Sequence, residues 1–297
     1  MNRRQSLWLG SHALASLSAL RPLAVKARAP APRIVASFSI LADMAREVAP
    51  VGAQVTALVG PDADAHVYEP SPADGRRLAQ ADLVLINGLG FEGWIERLIE
   101  VSGYTGPVVV ASRGIQPRQA GGAVDPHAWQ DLGMAQRYAA NLGEAFARRW
   151  PASSAEVDQR GADYASRIGR LDTQVRGWLR AVLRAQRRVI TSHDAYGYFG
   201  AAYGVDFLAP QGWDTHSEPS AAAVARLIRQ IKREGVRAIF IENISDPRLV
   251  ERIAHEGGVR VGGTLYSDAL SGPDGPASSY LELIEHNARS LSAAMQG

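Results

Sequence analysis

Arg188 to Phe199 reads RVITSHDAYGYF, and the reading of this stretch decides the fold. Arg188-Val-Ile-Thr191 is a short, largely apolar run that reads as a strand. It ends at Ser192-His193-Asp194, and a helix start follows. A histidine at the carboxyl end of such a strand lies where open α/β sheets place their ligands. Three other stretches then fall into line: Asp64-Ala-His66-Val-Tyr-Glu69-Pro, Asp125-Pro-His127-Ala-Trp129 and Leu265-Tyr-Ser-Asp268-Ala-Leu.

Working outward, strands alternate with helices on both sides of this point. In the first half, strands are expected at 34–38, 55–59, 83–86 and 108–111. Helices are expected from Ser39, with Asp43 near a capping-box position, from Ser71-Pro72, over 91–101 and over 132–149. The segment 112–125 reads as a short loop. In the second half, strands at 188–191, 205–208, 236–242 and 259–265 alternate with helices at 219–234, from 245–247 to 257, and over 278–295. Such alternation predicts parallel sheets covered by helices on both faces.

Between the halves, Val157, Tyr164, Ile168, Leu171, Val175, Leu179 and Val182 recur at spacings of three, four and seven. That is one apolar stripe on a long amphipathic helix. The expected organisation is a leader over 1–32, an N-terminal α/β lobe over 33–152, a connecting helix over 153–184 and a C-terminal α/β lobe over 185–297. The two lobes, each with a parallel sheet flanked by helices, would be joined by that one long rigid helix, with a site in the cleft between them.

The leader rests on Arg3-Arg4, an apolar run over 7–20 too short to span a membrane, and small residues after it. The arginine pair hints at twin-arginine export. Residues 1–32 hold five basic and no acidic side chains. Without them the chain's 32 basic residues fall to 27 against 30 acidic, near −3. The basic pI of 9.0 therefore belongs largely to the leader, and nothing electrostatic favours nucleic acid. The chain has no cysteine, which excludes disulfides, thiolate metal sites and a lipid anchor on cysteine. A free periplasmic location is expected, and a monomer.

There are seven histidines. His12 lies in the leader. His255 and His286 fall in expected helices among charged neighbours and read as solvated surface. His66 and His127 alone would read as surface histidines, His193 as a partly buried one, and Asp268 as a helix cap. Together they are three imidazoles and one carboxylate in connections that follow strands, two in each half. Their separations of 61, 66 and 75 residues exclude a local zinc finger or a metalloprotease helix. Such a donor set suits tetrahedral zinc, whereas manganese usually takes more oxygen ligands.

The motifs "DAHVYEPSP", "DPHAWQD", "SHDAYGYF", "SEPS", "ENISDPRL" and "GGTLYSDAL", in that order, resemble those of the solute-binding proteins of zinc and manganese ABC importers (cluster A-I). The zinc-specific branch, in a short-loop form, is the nearest likeness. The resemblance implies capture of Zn2+ as a transported ligand and delivery to an ABC transporter permease. It places the metal ligands at His66, His127, His193 and Asp268. The manganese branch typically has glutamate at the third position, so His193 favours zinc. Zinc receptors often carry a long histidine-rich loop ahead of the second ligand. The short 112–125 segment lacks histidine and suggests hand-over from a periplasmic metallochaperone. His216 stands where an acidic residue is expected, and reads either as a surface histidine or as a transient second zinc contact. Glu69, Asp125 and Asp194 are the candidates to hold the imidazoles. The rival readings are a manganese or iron receptor of the same fold and a zinc hydrolase. No GxSxG or HExxH motif supports the latter.

Overall fold

The structure is a computed structural model that describes residues 30–120, 122–212, 215–216 and 218–297. The leader up to residue 29 lies outside the described residues, with its cleavage point. So do Trp213, Asp214 and Ser217 of the loop that carries His216.

Two four-stranded parallel sheets organise the chain. The first holds β1 (Arg33–Phe38), β2 (Gln54–Val59), β3 (Leu83–Ile86) and β4 (Val108–Val110) in the order β2-β1-β3-β4. The second holds β7 (Arg188–Ile190), β8 (Asp206–Leu208), β9 (Ala238–Glu242) and β10 (Arg260–Leu265) in the order β10-β9-β7-β8. Taken from the other edge, the second sheet repeats the order of the first. In each, the first strand is central, the second flanks it on one side and the later two continue on the other. A sheet wound outward in both directions opens a crevice at the carboxyl ends of its strands. The alternation of strands and helices thus predicts the architecture correctly.

The helices cover these sheets. α1 (Ser39–Val48), α2 (Pro72–Ala79), α3 (Ile95–Ser102) and α4 (Leu132–Arg149) belong to the first half. α6 (Gly197–Tyr203), α7 (Ala221–Glu234), α8 (Pro247–Gly257) and α9 (Tyr280–Gln296) belong to the second. The long helix α5 spans Ser154–Arg180, 27 residues, and packs against α1, α4, α6 and α9. Val157, Tyr164, Ile168, Leu171, Val175 and Leu179 form its buried face. At about 1.5–3 kcal/mol for each large apolar side chain removed from water, that stripe holds α5 in place despite Gly161, Gly169 and Gly177. The largest buried apolar cluster draws on β1, α1, α4, α5, α6 and α9, so it crosses from one half to the other.

Four local expectations are corrected. The 112–125 segment is not simply a loop: β5 (Arg118–Ala120) and β6 (Ala123–Asp125) pair antiparallel around Gly122, whose φ is 87°. Three-residue strands give too little alternation to be seen in sequence. The helix expected from Phe91 begins only at Ile95. Gly88, Leu89 and Gly90 all have positive φ (81°, 57° and 80°) and turn the chain so that Phe91 points into the core. Ser39 and Asp43 do not cap α1. Ser39 Oγ accepts from Leu270 N (3.0 Å) and Asp43 Oδ2 from Tyr280 N (2.8 Å), both in the distant half of the chain. His286 is not solvated surface. It is half-buried, with Nε2 3.0 Å from Thr264 O and its ring edge-on to Tyr266. His255 is exposed, as expected.

Candidate metal centre

His66 follows β2, His127 follows β6, His193 follows β7 and Asp268 follows β10. The four side chains lie together, with one ligand atom from each within 4.8 Å of all the others. His127, His193 and Asp268 have no exposed surface, and His66 is 2% exposed. The Nε2 atoms of His66 and His127 are 3.3 Å apart. Asp268 Oδ2 stands 3.3 Å from His66 Nε2 and 3.1 Å from His193 Nε2, and Oδ1 stands 3.5 Å from His127 Nε2.

Backbone and aromatic contacts hold each donor. The turn before His66 is fixed by Asp64 Oδ1, which accepts from His66 N (2.8 Å), and by Trp94 Nε1, which donates to Ala65 O (2.8 Å). The His66 ring packs edge-on against Phe91, with centroids 4.7 Å apart. His127 is fixed by Asp125, whose Oδ1 accepts from His127 N (3.0 Å) and lies 2.8 Å from His127 Nδ1. An ionised carboxylate only accepts, so Nδ1 carries the proton and Nε2 keeps its lone pair for the cluster. Pro126, ahead of His127, is held through its carbonyl by Asn87 Nδ2 (3.0 Å), and Tyr138 Oη donates to Asn87 Oδ1 (2.5 Å).

His193 is held by a residue the sequence reading did not assign. Glu242, at the end of β9, accepts with Oε1 from Ser192 N (2.7 Å) and His193 N (3.0 Å). Its Oε2 lies 2.7 Å from His193 Nδ1, a close charge contact between two buried groups. Glu242 is 49 residues away in sequence, and its signals were a carboxylate at a strand end and its place at the head of the ENISDPRL motif. Of the three candidates named from sequence, Asp125 reaches a ligand. Glu69 is exposed, and no contact links it or Asp194 directly to an imidazole of the cluster among the described residues. His216 is exposed, on the loop whose Thr215 Oγ1 donates to Asp64 Oδ2 (2.5 Å).

The two halves meet around this nest. Trp129 Nε1 and Gln130 Nε2, just after His127, both donate to Ser267 O, beside Asp268 (2.9 and 2.8 Å). Asp62, with φ 54°, accepts from Asn243 Nδ2 (2.9 Å) and Gly272 N (3.1 Å). A cavity of about 600 Å³ lined by Asp64, Ser192, Thr215 and Glu218 reaches the chain neighbours of His66 and His193.

The electrostatics suit a cation. Burial acts to raise the Asp268 pKa, but His127 and His193 beside it, with His66, hold it well below the usual carboxylate range. Burial acts to lower His193, yet the Glu242 and Asp268 carboxylates outweigh it and raise His193 well above its ordinary value. His66 is lowered by burial, with Asp268 opposing. The directions pair a strongly acidic Asp268 with a strongly basic His193. Both oxygens of Asp268 face the imidazoles, and neither meets a well-aligned donor among the described residues.

Fold and site together define a two-sheet α/β protein whose strand ends converge on one closed nest of three imidazoles and a carboxylate. Residues 34–294 match the family described as zinc-uptake complex component A, periplasmic, and the chain belongs to that family. The manganese-binding lipoprotein MntA of Halalkalibacterium halodurans is 29% identical over 86% of this chain and 85% of its own. The iron-binding protein YfeA of Yersinia pestis is 31% identical over 85% and 82%. The zinc-binding protein TroA of Treponema pallidum is 30% identical over 89% of both chains. The solved structure of periplasmic TroA superimposes with a TM-score of 0.86 at 29% identity, covering 90% of this chain and all of that one. Among the described residues no helix is long and apolar enough to cross a membrane.

Proposed function

We propose that this protein captures Zn2+ in the periplasm and delivers it to the permease of an ABC importer, with His66, His127, His193 and Asp268 as the metal ligands. One observation carries the reading. A tetrahedral ion with bonds of about 2.0–2.1 Å needs donors about 3.3–3.4 Å apart. His66 and His127 Nε2, and each imidazole Nε2 with its nearer Asp268 oxygen, stand 3.1 to 3.5 Å apart, and one ligand atom from each of the four lies within 4.8 Å of the others. Glu242 and Asp125 leave the Nε2 atoms of His193 and His127 as the metal-facing nitrogens. Asp268 takes the fourth position, so no open position remains for an activated water. That supports a receptor rather than a hydrolase.

The lobes are proposed as 33–152 and 185–297, with 153–184 as the connector. Each half holds its own parallel sheet, and α5 runs between them. The packing of α5 on helices of both halves limits relative motion, so release is assigned to the loops around the cavity and to the permease. The periplasmic location rests on the leader pattern and on the family.

One observation favours a second reading as a manganese or iron receptor. Asp268 turns Oδ1 toward His127 and Oδ2 toward His66 and His193. A bidentate carboxylate would offer five donors, which a harder ion accepts. Relatives named for manganese, iron and zinc are about equally similar.

The test is metal content by mass spectrometry on tag-free, natively purified protein beside His193→Ala. About one zinc per chain, lost or strongly weakened in the variant, supports the assignment. Stoichiometric manganese or iron moves the protein to the second reading. No metal, with none taken up on titration, refutes both.

A further inference from the structure

The β5–β6 hairpin lies against α6, and the side chain at the junction is Asp125. Its carboxylate is 1% exposed. Oδ1 is engaged by His127 through N and Nδ1, at 3.0 and 2.8 Å. Oδ2 faces Arg118 Nε across the hairpin at 3.8 Å. Tyr198, in the first turn of α6, accepts from Arg118 N (2.9 Å) and donates to Asp125 O (3.2 Å) through one hydroxyl. The Arg118 guanidinium lies 5.7 Å from the centroid of the Tyr198 ring.

Gly197, the residue before Tyr198, closes this junction. A Cβ there would lie 2.6 Å from Asp125 Oδ2 and 3.1 Å from Arg118 Nε. The backbone does not require glycine, because Gly197 is absent from the positive-φ residues. What excludes a side chain is the carboxylate. Asp125 cannot yield without turning the oxygen that orients His127.

We propose that Arg118 and Gly197 are positioning residues for metal capture: Arg118 from the hairpin and the bare backbone of Gly197 from α6 fix the Asp125 carboxylate in the orientation that aims His127 Nε2 into the nest. This rests on His127 being a metal ligand, as proposed above. Three elements, one of them from the other half of the chain, then set the pose of one imidazole. Lifting the hairpin off α6 would free Asp125 and slacken His127 while the other three ligands stay in place. Loss of a group that touches a ligand but not the metal, as Asp125 touches His127, typically costs about 10–100-fold in metal affinity, and Arg118 and Gly197, which act through Asp125, belong at the lower end of that range.

The test measures dissociation of zinc and cobalt from the full-length protein for Gly197→Ala, Arg118→Gln, Arg118→Lys and His193→Ala, with the d–d absorption of the cobalt form and the apo melting temperature. The proposal expects metal loss about tenfold faster in Gly197→Ala and Arg118→Gln. It also expects an altered cobalt band, a nearly unchanged melting temperature in Arg118→Gln, and recovery of most of the effect in Arg118→Lys. Dissociation within about twofold of the parent in Gly197→Ala and Arg118→Gln, with His193→Ala losing metal, overturns the proposal and leaves the ligand set standing. Equal losses in Arg118→Gln and Arg118→Lys, with a lower melting temperature, also overturn it, because the hairpin then acts only through stability. Unchanged binding in His193→Ala removes the metal reading and this proposal with it.

Discussion

Replacing Glu242 by glutamine changes the charge of one buried side chain and almost nothing of its shape. In the parent, Oε1 accepts two backbone N–H groups, from Ser192 and His193, and Oε2 stands 2.7 Å from His193 Nδ1. The amide oxygen can still serve the two backbone donors. The amide NH2 must then face His193 Nδ1, where two donors oppose each other. His193 relieves this by moving its proton to Nε2, the nitrogen that otherwise faces the nest. Binding then requires either the disfavoured tautomer or a turned ring. The lost charge-assisted contact is of the order of 1.5–3 kcal/mol. That agrees with the 10–100-fold, or about 1.4–2.7 kcal/mol, typical of losing a group that orients a metal-bound histidine.

The sign with pH follows from His193. Glu242 is the first charge that raises its pKa, against the lowering effect of burial. In the parent, an incoming ion must displace the proton that Glu242 stabilises, so apparent affinity falls as pH drops, starting above the ordinary histidine value of 6.5. Glu242→Gln removes that proton's support along with the orienting contact. The deficit of the variant is therefore largest above pH 8 and narrows toward pH 6. Competition against a chromogenic chelator across this range, with melting of the apo forms as a control, measures both. An affinity within about threefold of the parent at pH 8, or a deficit that grows toward low pH, would refute the reasoning.

Three further outcomes are expected. Asp43, raised by burial to about 6 from 3.8, adds stability in full below 3.8 and loses it as pH rises through about 6. Asp43→Asn keeps an acceptor for Tyr280 N and should raise stability at pH 8 by up to about 3 kcal/mol, with little gain at pH 4; equal melting shifts at both pH values would count against it. Asn87→Ala leaves the Pro126 carbonyl and Tyr138 Oη without their partner and should cost about 2–3 kcal/mol in denaturant unfolding, together with weaker metal binding. His216→Ala should leave equilibrium affinity within about twofold, because His216 is exposed and outside the cluster, but should slow zinc hand-over; unchanged transfer rates would dispose of the transient contact.

Much of this protein was legible in one dimension because the relevant signals are local. Alternating apolar strands and amphipathic helices specify parallel sheets, since a strand buried on both faces and a helix with one apolar stripe leave few ways to pack. The α5 stripe from Val157 to Leu179 announced a long helix for the same reason. His66, His193 and Asp268 stood out as candidates because each follows an expected strand, and strand ends are where such sheets place their chemistry; His127, behind a segment read as loop, stood out by its motif. What sequence could not decide is what depends on pairs far apart in the chain. Ser39 and Asp43 look like helix-capping residues, but backbone donors more than 200 positions away claim them. Glu242 acquires its role only when β9 is laid beside β7. Gly197 has no turn to make, and its bareness has meaning only once Asp125 is brought against it. Local propensity and periodicity act through neighbours in the chain and therefore write the elements into the sequence. The orientation of each imidazole depends on contacts between elements, and only tertiary packing brings those into being.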